Sequence, residues 1–114
     1  ELYNASSFDV SLRHWQWTDG QTTVPLPDTV LAAGHYLLLV PAASTTAWQP
    51  YSPCIGLTNW PSLNNETDMV WLTGPDGRNS DSLRYQSQWL GTPARMAGGY
   101  TLERVDLNSP CQDN

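Results

Sequence analysis

Residues 60–73 read WPSLNNETDMVWLT, a polar, turn-rich segment that opens directly onto an apolar strand. Asn, Ser and Pro favour turns because they hydrogen-bond to the nearby backbone or fix a backbone angle. The strand Met69–Thr73 is followed by Gly74-Pro75-Asp76-Gly77 and by the alternating run Asp81–Tyr85, a pattern typical of two strands joined by a tight turn. This segment therefore indicates architecture, and no catalytic side-chain pattern interrupts it.

Strand signals recur along the rest of the chain. Nine prolines and eight glycines punctuate it, and no window holds a helical apolar period for three turns. The predicted strands are Glu1–Tyr3, Val10–Thr18, Thr22–Val24, His35–Val40, Cys54–Leu57, Met69–Thr73, Asn79–Tyr85 and Tyr100–Asp106. Short strands with turn residues at this spacing predict a β-sandwich or a barrel.

Three details refine the strand pattern. Apolar residues alternate in Val10-Ser11-Leu12 and in Trp15-Gln16-Trp17, but the phase slips at Arg13-His14, which predicts a bulge that returns both tryptophans to the core. Asp19-Gly20 then predicts a hairpin turn. The run Leu37–Val40 does not alternate, which is typical of a central strand covered on both faces.

Length and charge limit the class of protein. A chain of 114 residues predicts one domain, residues 1–114. Eleven acidic residues stand against five arginines and no lysine, and a net charge of −6 disfavours nucleic acid and anionic membranes as partners. The longest apolar run is too short to cross a bilayer, so no membrane insertion is expected.

Cys54 and Cys111 are the two cysteines of the chain. Neither belongs to a closely spaced pair of the kind that zinc sites use. Each follows a proline in a polar, loop-like context, which favours a disulfide between them over the alternative of two free buried thiols. A disulfide implies an extracytoplasmic protein.

Matches to a known family run through the chain in order. They are Glu1-Leu2-Tyr3-Asn4; Leu12, Trp15 and Asp19; Ala33 to Leu39; Pro61 to Asn65 with Asp68; Asp76-Gly77, Asp81-Ser82 and Tyr85; and Gly98 to Asp106 with Pro110-Cys111. In these residues the chain resembles the bacterial lamin tail domain. The family has a glycine just before the tryptophan of the second strand, where this chain has His14.

The resemblance implies an all-β, immunoglobulin-like β-sandwich of about 7–8 mostly antiparallel strands. Lamin tail domains sit in large secreted or surface proteins beside other domains and share no catalytic residues. The chain is therefore predicted to be a non-catalytic structural, adhesive or protein-interaction module of an exported bacterial protein, extracellular or on the cell surface. Its start at Glu1-Leu2-Tyr3 predicts that it is excised from a longer chain. Its partners would be a protein or the neighbouring domains.

The residues that could perform chemistry have structural interpretations instead. His14 and His35 lie outside any hydrolase motif, so a hydrolase is the least favoured class. The residues predicted to support the fold are Trp15, Asp19, Asn64, Asn65, Asp68, Glu103 and Arg104. Asp19 and Asp68 are expected in turns, and Glu103-Arg104 in an ion pair or hydrogen bond at a sheet edge. No cofactor or metal is predicted, although loop carboxylates with the two asparagines leave calcium open.

Tryptophans are more numerous than a small core requires. Val70 and Leu72 occupy the core face of their strand, which places Met69 and Trp71 on the opposite face. Trp48 lies in a loop beside Tyr51. Exposed aromatic rings hold sugars and partner proteins, so these four residues are the predicted binding residues unless a loop covers them. A carbohydrate-binding module is the alternative function.

Overall fold

A computed structural model describes residues 1–107 and places nine strands among them. The strands are β1 Leu2–Tyr3, β2 Val10–Ser11, β3 Gln16–Thr18, β4 Thr23–Pro25, β5 Val30–Leu31, β6 Tyr36–Pro41, β7 Cys54–Leu57, β8 Thr67–Thr73 and β9 Asn79–Gln86. Two single-turn helices accompany them, α1 Thr45–Trp48 and α2 Pro93–Met96, with 3-10 turns at Ala42–Ser44 and Ser87–Leu90. None of these helices has the length or apolarity needed to cross a membrane.

The strands form three sheets. An antiparallel sheet has the order β4-β3-β8-β9, and a short antiparallel pair joins β2 to β5. A third sheet has the order β1-β6-β7, in which β6 and β7 run parallel. The predicted all-β, sandwich-like fold is confirmed.

The core lies between the inner faces of these sheets. Trp17, Val24 and Leu72 meet there across neighbouring strands, since Trp17 is paired with both of the others. The remaining buried members come from the loops and the other two sheets: Leu12, Leu26, Leu31, Leu37 and Leu57. Trp15, Trp60, Val70 and other partly buried residues pack against this cluster. The predicted core role of Trp15 and Trp17 is confirmed.

The predicted strand Val10–Thr18 is wrong as a continuous element. The Trp15 N–H donates to the Leu12 carbonyl, which closes a turn, and His14 takes a φ of 65°. The turn divides the segment into β2 and β3, which belong to different sheets. A phase slip in a sequence thus marked a change of sheet rather than a bulge within one strand.

One strand was missed in the sequence, and one further predicted strand is absent from the described residues. Val30–Leu31 forms β5, which is too short to leave a pattern of its own. Tyr100–Asp106 is not a strand in the described chain, although it carries a strand-like sequence. Its Arg104 instead reaches β9 through a pair of side-chain bonds. That contact anchors the segment without pairing its backbone to a strand.

Candidate functional site

The outer face of the β1-β6-β7 sheet is covered in part by the β6–β7 connection. Parallel strands need such a crossover, and here it contains the 3-10 turn and α1. A Cβ added at Gly56 on β7 would collide with Thr45 Oγ1 and lie 3.0 Å from Ala42 Cα. Gly56 pairs with Val40, which is buried although it stands outside the core cluster. The crossover therefore packs on the face opposite the core, and β6 is covered on both sides as predicted.

The uncovered end of that face carries exposed aromatic rings. Tyr3 pairs with Tyr36 across β1 and β6, and their ring centroids are 4.6 Å apart. These side chains are 36% and 42% exposed. Tyr36 lies on the outer face because its neighbour Leu37 belongs to the core.

Trp48 and Tyr51 lie at the same end of the sheet. Trp48 ends α1, and its carbonyl accepts from the Tyr51 N–H at 2.9 Å. The Leu38 N–H donates to the Pro53 carbonyl at 3.0 Å, so the residues before β7 stand beside the start of β6. Trp48 is 47% exposed and Tyr51 82% exposed. We call Tyr3, Tyr36, Trp48 and Tyr51 together the aromatic surface.

The stretch of chain that carries three of the four rings, Tyr36, Trp48 and Tyr51, has no charged side chain. From Thr29 to Asn65 the sequence contains no Asp, Glu, Lys or Arg, so all the charged residues lie before or after this stretch. The charged residues nearest to Tyr3 in the sequence are Glu1 and Asp9, and the one that precedes Tyr36 is Asp28. All three are acidic. Asp9 Oδ1 accepts from the Ala33 N–H at 3.0 Å, which brings a carboxylate to the loop before β6.

Met69 and Trp71 lie on the outer face of a different sheet, as their alternation with Val70 and Leu72 predicted. Trp71 stands between Thr18 and Ser82 and is partly buried. A Cβ at Gly20 would lie 2.9 Å from Trp71 Cζ3, so the indole rests on the β3–β4 turn. The four predicted binding residues thus divide between two sheets and do not form one site.

The loop before β8 is held by Asp68. Its Oδ2 accepts from the Asn64 N–H at 2.9 Å and from Asn64 Nδ2 at 3.2 Å, and its Oδ1 accepts from the Met69 N–H at 2.8 Å. The backbone bonds from Asn64 and Met69 lower the pKa of Asp68. Tyr85, opposite Asp68, donates to the Asn64 carbonyl at 2.5 Å. Burial, and then the Asp68 charge, raise the pKa of the Tyr85 phenol.

Other carboxylates are likewise engaged in turns or ion pairs. Asp19 Oδ1 accepts from the N–H groups of Gln21 and Thr22, which confirms the predicted hairpin turn. Arg104 binds the Asp81 carboxylate with both terminal nitrogens, at 2.8 and 3.1 Å. Because β9 is an edge strand, the predicted role of Arg104 at a sheet edge is confirmed. Glu103 accepts from the Thr101 hydroxyl at 3.3 Å.

The remaining predicted residues have varied outcomes. Asn65 is exposed, and the bonds that shape its loop come from Asn64 and Asp68. Cys54 Sγ lies 3.8 Å from the Thr45 carbonyl oxygen, whereas Cys111 lies outside the described residues, so the disulfide stays a prediction. Within residues 1–107 no group of three or more His, Cys, Asp and Glu side chains is placed to hold a metal ion.

Two concave regions lie away from the aromatic surface. A cleft of about 450 Å³ separates Trp15 from the β8–β9 turn. In that turn Arg78 Nε lies 3.8 Å from Asp76 Oδ2. A smaller cavity of about 160 Å³ lies between β4 and the end of β7. Both are shallow, and neither is lined by His14, His35 or the predicted binding residues.

Sequence reasoning missed Tyr3 and Tyr36 as surface residues. The alternation Leu2-Tyr3 and Tyr36-Leu37 carries the necessary signal, because a strand with one leucine on the core face must turn the adjacent tyrosine outward.

Comparison of the chain with protein-family models, with curated proteins and with solved structures finds no match.

Proposed function

We propose that this chain is a non-catalytic interaction module of an exported bacterial multidomain protein. In this proposal the aromatic surface binds a component of the cell envelope and so attaches the parent protein to it. The observation that carries the proposal is the position of four exposed rings at one end of a packed sheet. Tyr and Trp present large contact area with few rotatable bonds, so little entropy is lost when they bind.

The use of the carboxylates supports a non-catalytic role. Asp9, Asp19 and Asp68 accept hydrogen bonds from backbone N–H groups, and Asp81 is bound by Arg104. A general acid or base must instead face a substrate with its reacting oxygen. The resemblance to lamin tail domains points to the same class, and the left-handed φ of His14, at the family's glycine position, supports it.

Docking can be tested by sedimentation. The 114-residue chain is mixed with washed bacterial cell envelopes and centrifuged, and the pelleted fraction is compared with that of W48A/Y51A. The matched control is W89A, because Trp89 is 40% exposed but lies on the 3-10 turn after β9. We expect the double variant to remain in the supernatant while the wild type and W89A pellet. Equal pelleting of all three, or of none, would contradict the proposal.

A further inference from the structure

We propose that the aromatic surface binds an uncharged polysaccharide, with sugar rings stacked on Trp48, Tyr51 and the Tyr3–Tyr36 pair. This inference rests on the proposed docking function and adds the chemical class of the ligand. Three features carry it: the absence of charged side chains from residues 29–65, the exposed polar residues next to Trp48, and the open shape of the surface.

Charge selects against most other ligands. The chain from Thr29 to Asn65 offers no charged side chain, and the acidic groups nearest the surface in sequence, Glu1 and Asp9, would repel an anionic polymer. A cationic protein partner would be expected to meet carboxylates across its contact surface, whereas here they stand only at the edge, at Glu1 and Asp9. A second copy of the chain also carries a net charge of −6, so self-association is opposed by repulsion. A neutral ligand fits best.

Polar groups that suit sugar hydroxyls are close to Trp48 in the chain. Gln49 follows Trp48 directly and is exposed, and its amide both donates and accepts hydrogen bonds. Thr46, two residues before Trp48 on α1, is also exposed and carries a hydroxyl. A ring face next to neutral hydrogen-bonding groups complements a sugar, which has an apolar face and a hydroxyl-bearing rim. Long charged side chains, which would compete with a sugar for the space over the rings, are absent from residues 29–65.

The shape favours a polymer over a small ligand. Small molecules bind in concave pockets that enclose most of their surface. The cleft at Trp15 and the cavity below β4 lie elsewhere, and the aromatic surface is open, with Tyr51 82% exposed. The crossover beneath it is fixed by close packing at Gly56. A chain of sugars can therefore extend across the rings and contact several of them at once.

The test is native electrophoresis in gels that contain one soluble glycan each. The neutral probes are hydroxyethyl cellulose, glucomannan, arabinoxylan and mixed-linkage β-glucan, and the anionic probe is polygalacturonate. We expect at least one neutral glycan to retard the wild type. The apparent affinity should fall about tenfold in W48A and in Y51A, because central aromatic side chains carry much of the energy of a binding surface. Polygalacturonate should leave the mobility unchanged.

Controls separate binding from folding. W89A should be retarded like the wild type, and near-ultraviolet circular dichroism should show that each variant is folded. Y51A is the decisive variant because its side chain is 82% exposed and contributes little to packing. Y36A should also weaken binding, because the Tyr3–Tyr36 pair is part of the surface, and full affinity in Y36A would contradict that part of the proposal.

Several results would overturn the inference. These are no retardation by any neutral glycan, retardation that survives W48A/Y51A, or equal retardation by polygalacturonate. A dimer seen by light scattering and abolished by Y51A would identify a second copy as the occupant instead. If no glycan binds but envelope sedimentation still depends on Trp48 and Tyr51, the proposed docking function stands and the glycan class is wrong. If sedimentation is also independent of them, both fail.

Discussion

The two larger sheets differ in how their outer faces are used. The β4-β3-β8-β9 sheet is antiparallel, is bordered by charged residues such as Asp81 and Arg84, and rests Trp71 on its own β3–β4 turn. The β1-β6-β7 sheet contains a parallel pair, and its crossover has no charged side chain. This crossover covers Val40 but leaves Tyr36 exposed to solvent.

The comparison teaches that strand periodicity decides which side chains point outward, whereas the connections decide which of those are exposed. Trp71 and Tyr36 both alternate with core residues. The β3–β4 turn contacts Trp71, whereas the crossover leaves Tyr36 exposed. The predicted binding face at Met69 and Trp71 is therefore the partly covered one. Five substitutions can break or sharpen this contrast.

The largest effect is expected from Gly56→Ala. The added Cβ would meet Ala42 backbone and Thr45 Oγ1, so the crossover must move off the sheet, at a cost of about 3 kcal/mol. Urea unfolding measures the loss. The double variant G56A/T45A should recover part of it, because Thr45 then lacks the colliding oxygen. Unchanged stability in G56A would mean that the crossover is loosely packed.

Gly20→Ala is the corresponding change on the other sheet. Gly20 has a φ of 87°, where an alanine is strained, and its Cβ would press on the Trp71 ring. We expect a loss of about 2 kcal/mol. Trp71 fluorescence should also shift, a readout for which W71F/G20A is the control. Glycan or envelope binding should not change, because Trp71 lies outside the aromatic surface.

Arg104→Ala tests the charged edge of the four-stranded sheet. The Arg104 side chain is 19% exposed and binds Asp81 with two bonds, so its removal should cost about 1–2 kcal/mol. R104K keeps the charge but not the paired geometry and should fall between the wild type and R104A. Thermal unfolding ranks the three proteins. An R104A protein as stable as the wild type would show that the ion pair does not hold the C-terminal segment.

His14→Gly should stabilise the protein. A histidine at a φ of 65° is strained, and glycine relieves the strain while adding freedom to the unfolded chain. The expected net gain is about 0.5–1 kcal/mol, measured by urea unfolding. H14A keeps the strain without the imidazole and should not gain. If H14A gained as much as H14G, the effect would come from loss of the ring rather than from the backbone.

The smallest effect concerns Asp68, which is half-buried. Its pKa is lowered from 3.8 by backbone hydrogen bonds, so the carboxylate form favours the folded state. That contribution is complete above the unfolded pKa and disappears as the pH falls through the lower folded value. Urea midpoints of the wild type should therefore drop more than those of D68N below a pH of about 4. Parallel curves for the two proteins would contradict the assignment.

Much of the fold follows from local sequence chemistry. Asp19-Gly20 and the polar run before β8 specify turns through side-chain bonds within a few residues, and such bonds can be read from the sequence. The alternation of Val70 and Leu72 with Met69 and Trp71 fixed both faces of β8. The unbroken apolar run of β6 correctly indicated cover on both sides.

The failures arise from tertiary context. The change of sheet at His14 and the two-residue β5 depend on strands far away in sequence, which no local period encodes. The aromatic surface depends on the pairing of Tyr3 with Tyr36 and on the hydrogen bond from Leu38 to Pro53. Only the sheet order reveals these two contacts. Trp48 and Tyr51 were found because they are neighbours in the chain, but their tyrosine partners were not.

The pairing of β1 with β6 also has a consequence for the order of folding. Leu2 pairs with Leu37, and the buried Asn4 amide donates to the Leu31 carbonyl, so the first strand is fixed by residues from much later in the chain. Hairpins such as β8–β9 close a short loop and form within about 1–10 μs. Closing a longer loop costs more entropy before any contact stabilises it. We therefore expect β1 to dock after hairpins such as β8–β9, whose strands are close in sequence, have formed.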